Sequence, residues 1–147
     1  MAEASKTIVM EAPRDRIWEV IVDYQQYPEF VDGAQRVKII SRDVGKARIE
    51  YGIQLLGKDI TYTLDHFEDG PGSMRWELIE SNILKGNTGS WKLKDLGGGR
   101  TEVTYSLGLD FKIYVPGMIL NGLVKSSLPK MLESFEKRTK KVMSSHG

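Results

Sequence analysis

The 147-residue chain contains no cysteine. That excludes a disulfide framework, a thiol nucleophile and thiolate-held metal. Histidine is nearly as scarce, with only His66 and His146. Neither falls in a His-Glu-x-x-His or related spacing, so no metal site is expected. No sign of charge dominates, because 21 Lys and Arg stand against 20 Asp and Glu for a net charge of +1. Dedicated nucleic-acid binders are usually clearly basic, so nucleic acid is not an expected partner. Long hydrophobic runs are absent too. The most apolar stretch, residues 115–124, is interrupted by Pro116, Gly117, Asn121 and Gly122 and falls well short of the ~20 residues that span a bilayer. Residues 1–6 carry Glu3 and no apolar core of a secretory signal. With no Asn-x-Ser/Thr sequon, a cytoplasmic location is the expectation. No serine sits in a nucleophile-elbow motif. The glycine-rich stretches Gly86–Ser90 and Gly97–Gly99 lack the lysine or the following helix that a phosphate loop needs. Both read as turns or bulges, and no cofactor is called for.

What is present is length and pattern. A chain of this size forms one ordinary domain that buries roughly 68% of its unfolded surface, enough for a core that also lines a cavity. Residues 5–11 read as a short strand, with Ile8 and Met10 on one face. Pro13 then suits a helix start, and Ile17, Trp18, Ile21 and Tyr24 recur at helical spacing. Pro28 turns Tyr27 out of helical geometry, so Tyr27-Pro28-Glu29-Phe30 begins a separate short helix or turn.

From about residue 33 to 112 the period becomes two. Ile49, Tyr51, Ile53 and Leu55 oppose Arg48, Glu50, Gly52 and Gln54. Ile60, Tyr62, Leu64 and His66 form another such face, followed by Met74, Trp76 and Leu78, then Trp91 and Leu93, then Val103 to Phe111. This is the signature of an antiparallel sheet with one wet and one buried face. With Val37 and Ile39 in an earlier strand and the first strand included, about seven strands are expected. Pro116 opens the last element. Leu120, Leu123, Val124, Leu128, Met131, Leu132 and Phe135 form its helical stripe, and residues 116–143 as one helix would measure about 42 Å. Pro129 should kink or loosen it locally, because its ring meets the Lys125 carbonyl. The expected class is α+β, a curved antiparallel sheet covered by this helix.

The pattern resembles the START-like superfamily, the helix-grip or Bet v 1-like fold, and more narrowly its polyketide cyclase/dehydrase and coenzyme Q-binding branch. The residues carrying the resemblance are Ala12-Pro13, Ile17-Trp18, Ile21, Asp23 and Tyr27-Pro28-Glu29-Phe30, followed by six strands and a long helix. It covers nearly the whole chain, implying a single START-like domain over residues 1–147. It also implies a hydrophobic cavity between sheet and final helix that binds lipids, isoprenoid quinones or polycyclic compounds.

On that reading the sheet wall of the cavity is Tyr51, Ile53, Tyr62, Leu64, Trp76, Leu78, Tyr105 and Leu107. The helix wall is Leu120, Leu123, Val124, Ser127 and Met131. The tyrosines carry the argument. Three hydroxyls on one buried face need partners, since each one left unsatisfied costs about 1–3 kcal/mol. A cavity holding a ligand carbonyl or hydroxyl supplies them, whereas an aliphatic core does not. Binding or transport of an apolar small molecule is therefore the leading reading. The alternative is a cyclase or dehydrase, which needs an acid and a base converging in the cavity. Tyr51, Tyr62, Tyr105 and His66 are the only supply, with no inward Asp, Glu or Lys behind them. His66 itself reads as a rim residue reaching solvent or a backbone carbonyl rather than an acid/base group. Met118 and Ile119 cannot share a face with Leu120 and Val124. They suggest a gate that touches a membrane transiently, or else packing on the loop after Phe30. The lysine and arginine cluster at residues 137–141 reads as a solvated helix end.

Overall fold

Pro13 caps the start of the first helix. Its extended backbone (φ −66°, ψ 147°) places its carbonyl to accept from the Arg16 and Ile17 N–H groups, both at 3.2 Å. The computed structural model describes residues 1–146. Their order is β1 (Ala2–Met10), α1 (Arg14–Ile21), a 3₁₀ helix (Tyr24–Glu29), β2 (Ala34–Asp43), β3 (Lys46–Leu55), β4 (Lys58–Glu68), β5 (Ser73–Ser81), β6 (Leu84–Gly97), β7 (Arg100–Phe111) and α2 (Gly117–His146). The seven strands form one antiparallel sheet in the order β1-β7-β6-β5-β4-β3-β2. This is the α+β helix-grip architecture that the alternation and the resemblance led one to expect. The class rests on two periodicities that do not overlap, two along the strands and 3.6 along the helices.

β1 is longer than its apolar pattern, because it pairs with β7 from Ala2–Leu109 to Met10–Thr101. Polar partners extend it on the outer face, where Ser5 bonds Ser106 at 2.9 Å and Thr7 bonds Thr104 at 2.8 Å. The stretch Gly86–Ser90 is not a turn. It lies within β6, with only a register shift between Leu84 and Gly86. Gly89 is needed there for space, since a Cβ would sit 2.1 Å from the Trp76 ring and 2.3 Å from the Ser106 carbonyl oxygen. Gly97, Gly98 and Gly99 do form a hairpin, all with φ between +66° and +81°.

The β5–β6 ladder is short. It joins Ser73–Trp76 to Gly89–Lys92, after which β5 follows β4 and β6 follows β7. The sheet is therefore split toward the Asn82–Ile83 turn, and the Lys112 Nζ reaches the Ser81 carbonyl oxygen at 2.7 Å across that region. α2 is continuous through Pro129, even though that residue supplies no N–H to the Lys125 carbonyl. The closed part of the core joins Met10, Ile17, Ile21, Leu93 and Val103 to Leu128, Leu132 and Phe135 of α2.

Candidate functional site

Two stripes run down the inner side of α2. Leu123, Ser127, Met131 and Phe135 repeat every four residues and border a cavity of about 190 Å³. Leu120, Val124, Leu128 and Leu132 lie about 100° further round the helix and do not border it. Val124 is 1% exposed and packs into the closed core, while Leu120 is half-buried. The expectation that Leu120 and Val124 form the helix wall is corrected accordingly, because only one of the two stripes can face the hollow. Leu78 also falls outside the lining. It lies beyond the point where β5 parts from β6, and it is half-buried against the core margin. The remaining proposed positions, Tyr51, Ile53, Tyr62, Leu64, Trp76, Tyr105, Leu107, Leu123, Ser127 and Met131, all border the cavity.

Other lining residues are not among the positions expected to form the cavity wall, although the alternation reads Trp91 as an inward aromatic. Tyr27, Val31, Asp32 and Ala34 come from the 3₁₀ helix and the segment entering β2. Leu55, Met74, Leu84, Asn87, Trp91 and Leu109 come from the sheet, and Phe135 from α2. Asp32 is exposed while bordering the cavity, which marks the mouth. Trp91 and Phe135 close the floor, with ring centroids 4.7 Å apart.

His66 is the largest correction. It is 3% exposed and borders the cavity instead of the solvent. Its Nε2 is 2.7 Å from the Tyr51 hydroxyl, and its Nδ1 is 3.3 Å from the Met74 sulfur. The thioether sulfur can only accept, so Nδ1 carries the proton and Nε2 accepts from Tyr51. Burial holds the imidazole's pKa down at about 3, so it is neutral near pH 7. The Tyr24 ring lies 4.6 Å from it. The Tyr24 hydroxyl donates to the Glu68 carboxylate at 2.6 Å, with Arg42 at 3.3 Å on the other side of that carboxylate. No sequence pattern points to the Tyr51–His66 bond. His66 pairs with Ala47 in the β3–β4 ladder, and Tyr51 pairs with Tyr62. The two side chains meet diagonally, past the Ile49–Leu64 pair that separates them along the ladder.

The cavity's polar groups are few. The Trp76 indole N–H donates to Asn87 Oδ1 at 3.0 Å, leaving the Asn87 amide nitrogen as a donor. Tyr62 and Tyr105 make ring contacts, Tyr62 with Tyr51 at 5.2 Å and Tyr105 with Trp91 at 4.5 Å. Among the described residues, neither hydroxyl has a protein hydrogen-bond partner, and neither is sealed off as an orphan atom. Both side chains border the cavity. Burial pushes both phenols above their ordinary pKa, so they remain neutral donors. The described residues contain no cluster of His, Asp and Glu able to hold a metal.

This layout defines a START-type ligand-cavity fold. A START superfamily protein from Mycobacterium smegmatis superposes with a TM-score of 0.88 at 17% identity, covering 97% of this chain and 99% of that one. The Zhui aromatase/cyclase from Streptomyces sp. R1128 gives 0.87 at 17% identity, covering 99% and 97%. Within that fold, residues 10–136 match the family described as polyketide cyclase/dehydrase and lipid transport, and the chain belongs to it. The ribosome association toxin RatA of Escherichia coli K12 is 21% identical over 144 residues, 98% of this chain and 90% of that protein. Among the described residues no helix is long and apolar enough to cross a membrane.

Proposed function

We propose that the chain is a cytoplasmic carrier or sensor that holds an apolar, oxygen-bearing small molecule in the cavity between sheet and α2. The observation that carries this reading is the pair of unpartnered hydroxyls, Tyr62 and Tyr105, in an otherwise apolar wall. Apolar pockets with a few convergent polar groups are typical ligand sites. The volume of about 190 Å³ modestly exceeds the roughly 150 Å³ of a dry protein cavity that takes up benzene. It suits a ring-sized head group, with any longer tail leaving past Asp32. An isoprenoid quinone or a polycyclic compound fits that description better than a wholly enclosed acyl chain. Desolvation supplies the affinity, about 0.8 kcal/mol for each buried CH₂. Tyr62, Tyr105 and the Asn87 amide orient a carbonyl or hydroxyl.

The test is the native mass of protein purified from its own cells against its denatured mass. Extra mass lost on denaturation, with a ring-bearing apolar fragment pattern, is the expected result. Bare protein that also takes up no quinone or polycyclic aromatic compound in titration would refute the reading.

The buried Tyr51–His66 pair favours a second reading, a cyclase-type enzyme. An imidazole whose pKa lies near 3 is a weak base at neutral pH, since effective general bases titrate near the working pH. A retained native ligand favours the carrier. Turnover that disappears in His66→Gln while ligand uptake persists favours the enzyme.

A further inference from the structure

Strand order places three connections at the same end of the molecule as the cavity mouth. Leu55 pairs with Lys58, Ser81 with Tyr62, and Leu84 with Phe111. The β3–β4 turn, the β5–β6 turn and the link from β7 to α2 therefore share the end at which Ala34 enters β2 opposite Ile53. Exposed apolar side chains concentrate there. Tyr114 is 88% exposed and Met118 is 87% exposed, with Ile113, Ile119, Leu56 and Ile79 also exposed. Toward the opposite end the exposed apolar residues are scattered, Val44 and Leu96 on separate hairpins and Val9 and Ile40 on the two edge strands.

Two independent features separate this end from ordinary surface. First, Leu56 holds φ +54° at the β3–β4 turn, beside Gly57 at +72°. Such turn positions favour Asn, Asp or Gly, and a leucine there spends conformational energy to keep an apolar side chain outward. Second, the stretch from Lys112 to Lys130 contains Lys112, Lys125 and Lys130 and no Asp or Glu. Asp32, Asp59, Glu80 and Asp110 lie at this end but outside that stretch. Apolar residues and an aromatic ring interleaved with lysine, without acids, are the composition of a segment that lies in a lipid headgroup region.

We propose that this end docks on an anionic bilayer, with Tyr114, Met118 and Ile119 inserted, Lys125 at the headgroups and Lys112, whose ammonium also donates to the Ser81 carbonyl, beside them. A second copy of the chain fits less well, because a two-fold contact sets a patch against itself and would bring these lysines together. Leu123, one turn along α2 from Ile119, borders the cavity, so the docked face adjoins the mouth. The inference deepens the carrier reading by naming the phase from which the ligand enters, but it can fail separately.

The experiment is flotation of the full chain with vesicles of phosphatidylcholine alone or with one-third phosphatidylglycerol. Binding is expected only with phosphatidylglycerol, weakened by salt. The variant Y114E/M118E changes two side chains that are almost wholly exposed. It should reduce the partition coefficient at least tenfold while melting like the parent. Lys125→Glu should weaken it by about fivefold or more. Absence of flotation at every phosphatidylglycerol fraction would overturn the proposal, as would equal flotation of Y114E/M118E. Concentration-dependent dimerisation that Y114E/M118E abolishes, without vesicle binding, would assign the face to a second copy instead. A ligand in the native mass spectrum with no flotation would retain the carrier and remove the docking.

Discussion

The two halves of α2 meet the same sheet with opposite results. From Leu128 to Thr139 the helix is packed tightly against its neighbours, and Met131 and Phe135 meet the cavity only as its closed end. Leu132 and Phe135 are each 1% exposed, Phe135 touches Tyr27, Phe30 and Trp91, and the buried Thr139 hydroxyl returns to the Phe135 carbonyl at 2.7 Å. From Gly117 to Ser127 most positions are exposed, and the inward stripe offers only Leu123 and a serine whose hydroxyl bonds back to Leu123 and Val124. Bulk is placed at one end of a single i, i+4 stripe and withheld at the other. The hollow is thus a matter of side-chain volume, since the backbone frame is common to both halves.

The strongest way to break the contrast is at the sealed half. Phe135→Ala should cost about 3–5 kcal/mol in urea unfolding, the range for a buried aromatic truncated in a closed core. A loss below 1 kcal/mol would mean that the ring is loosely packed and the floor it forms with Trp91 is not a closed one. The next test uses acid. His66 has its folded pKa depressed to about 3 from an ordinary 6.5, so folding favours the neutral ring. Its contribution is fully present above pH 6.5 and is lost progressively as pH falls toward 3, because the unfolded chain takes up the proton first. The loss over that range is on the order of a few kcal/mol. His66→Gln should flatten that part of the stability–pH curve. An unchanged slope would place the titrating group elsewhere.

Smaller effects sharpen the comparison. Leu132→Trp should cost about 1–3 kcal/mol or more by overpacking, whereas Leu123→Trp, reaching into open space, should cost under about 0.5 kcal/mol and block ligand uptake. Equal losses in thermal unfolding would show both positions to be packed. Last come two hydroxyl deletions. Tyr51→Phe should cost about 1–3 kcal/mol, because it strands His66 Nε2. Tyr105→Phe should leave stability within about 0.5 kcal/mol of the parent and lower only ligand affinity.

The frame was legible because each strand announces its inward face by alternation, and α2 by its stripe. The site was legible only where that face sufficed. Ten of the lining positions follow from knowing which side of a strand or helix faces in, Tyr62 and Leu123 among them. Register and tilt decide the rest. Tyr51 reaches His66 across a diagonal that strand spacing alone does not show, and Asn87 matters because Trp76 lies over Gly89. Glycine density had made that segment look like a turn. The choice between Leu123 and Val124, adjacent residues of equal apolarity, depends on a rotation of about 100° that only the packed helix fixes.

The short β5–β6 ladder has a kinetic consequence. Between Glu77 and Ser81 on one side and Leu84 and Thr88 on the other, amides that point into the split lack a ladder partner. Those protons should exchange with deuterium far sooner than their neighbours on the β6–β7 ladder, which runs from Leu84 to Gly97. Below Trp76 the two panels of the sheet are joined by side chains, Trp76 to Asn87 and Lys112 to the Ser81 carbonyl, instead of by a ladder.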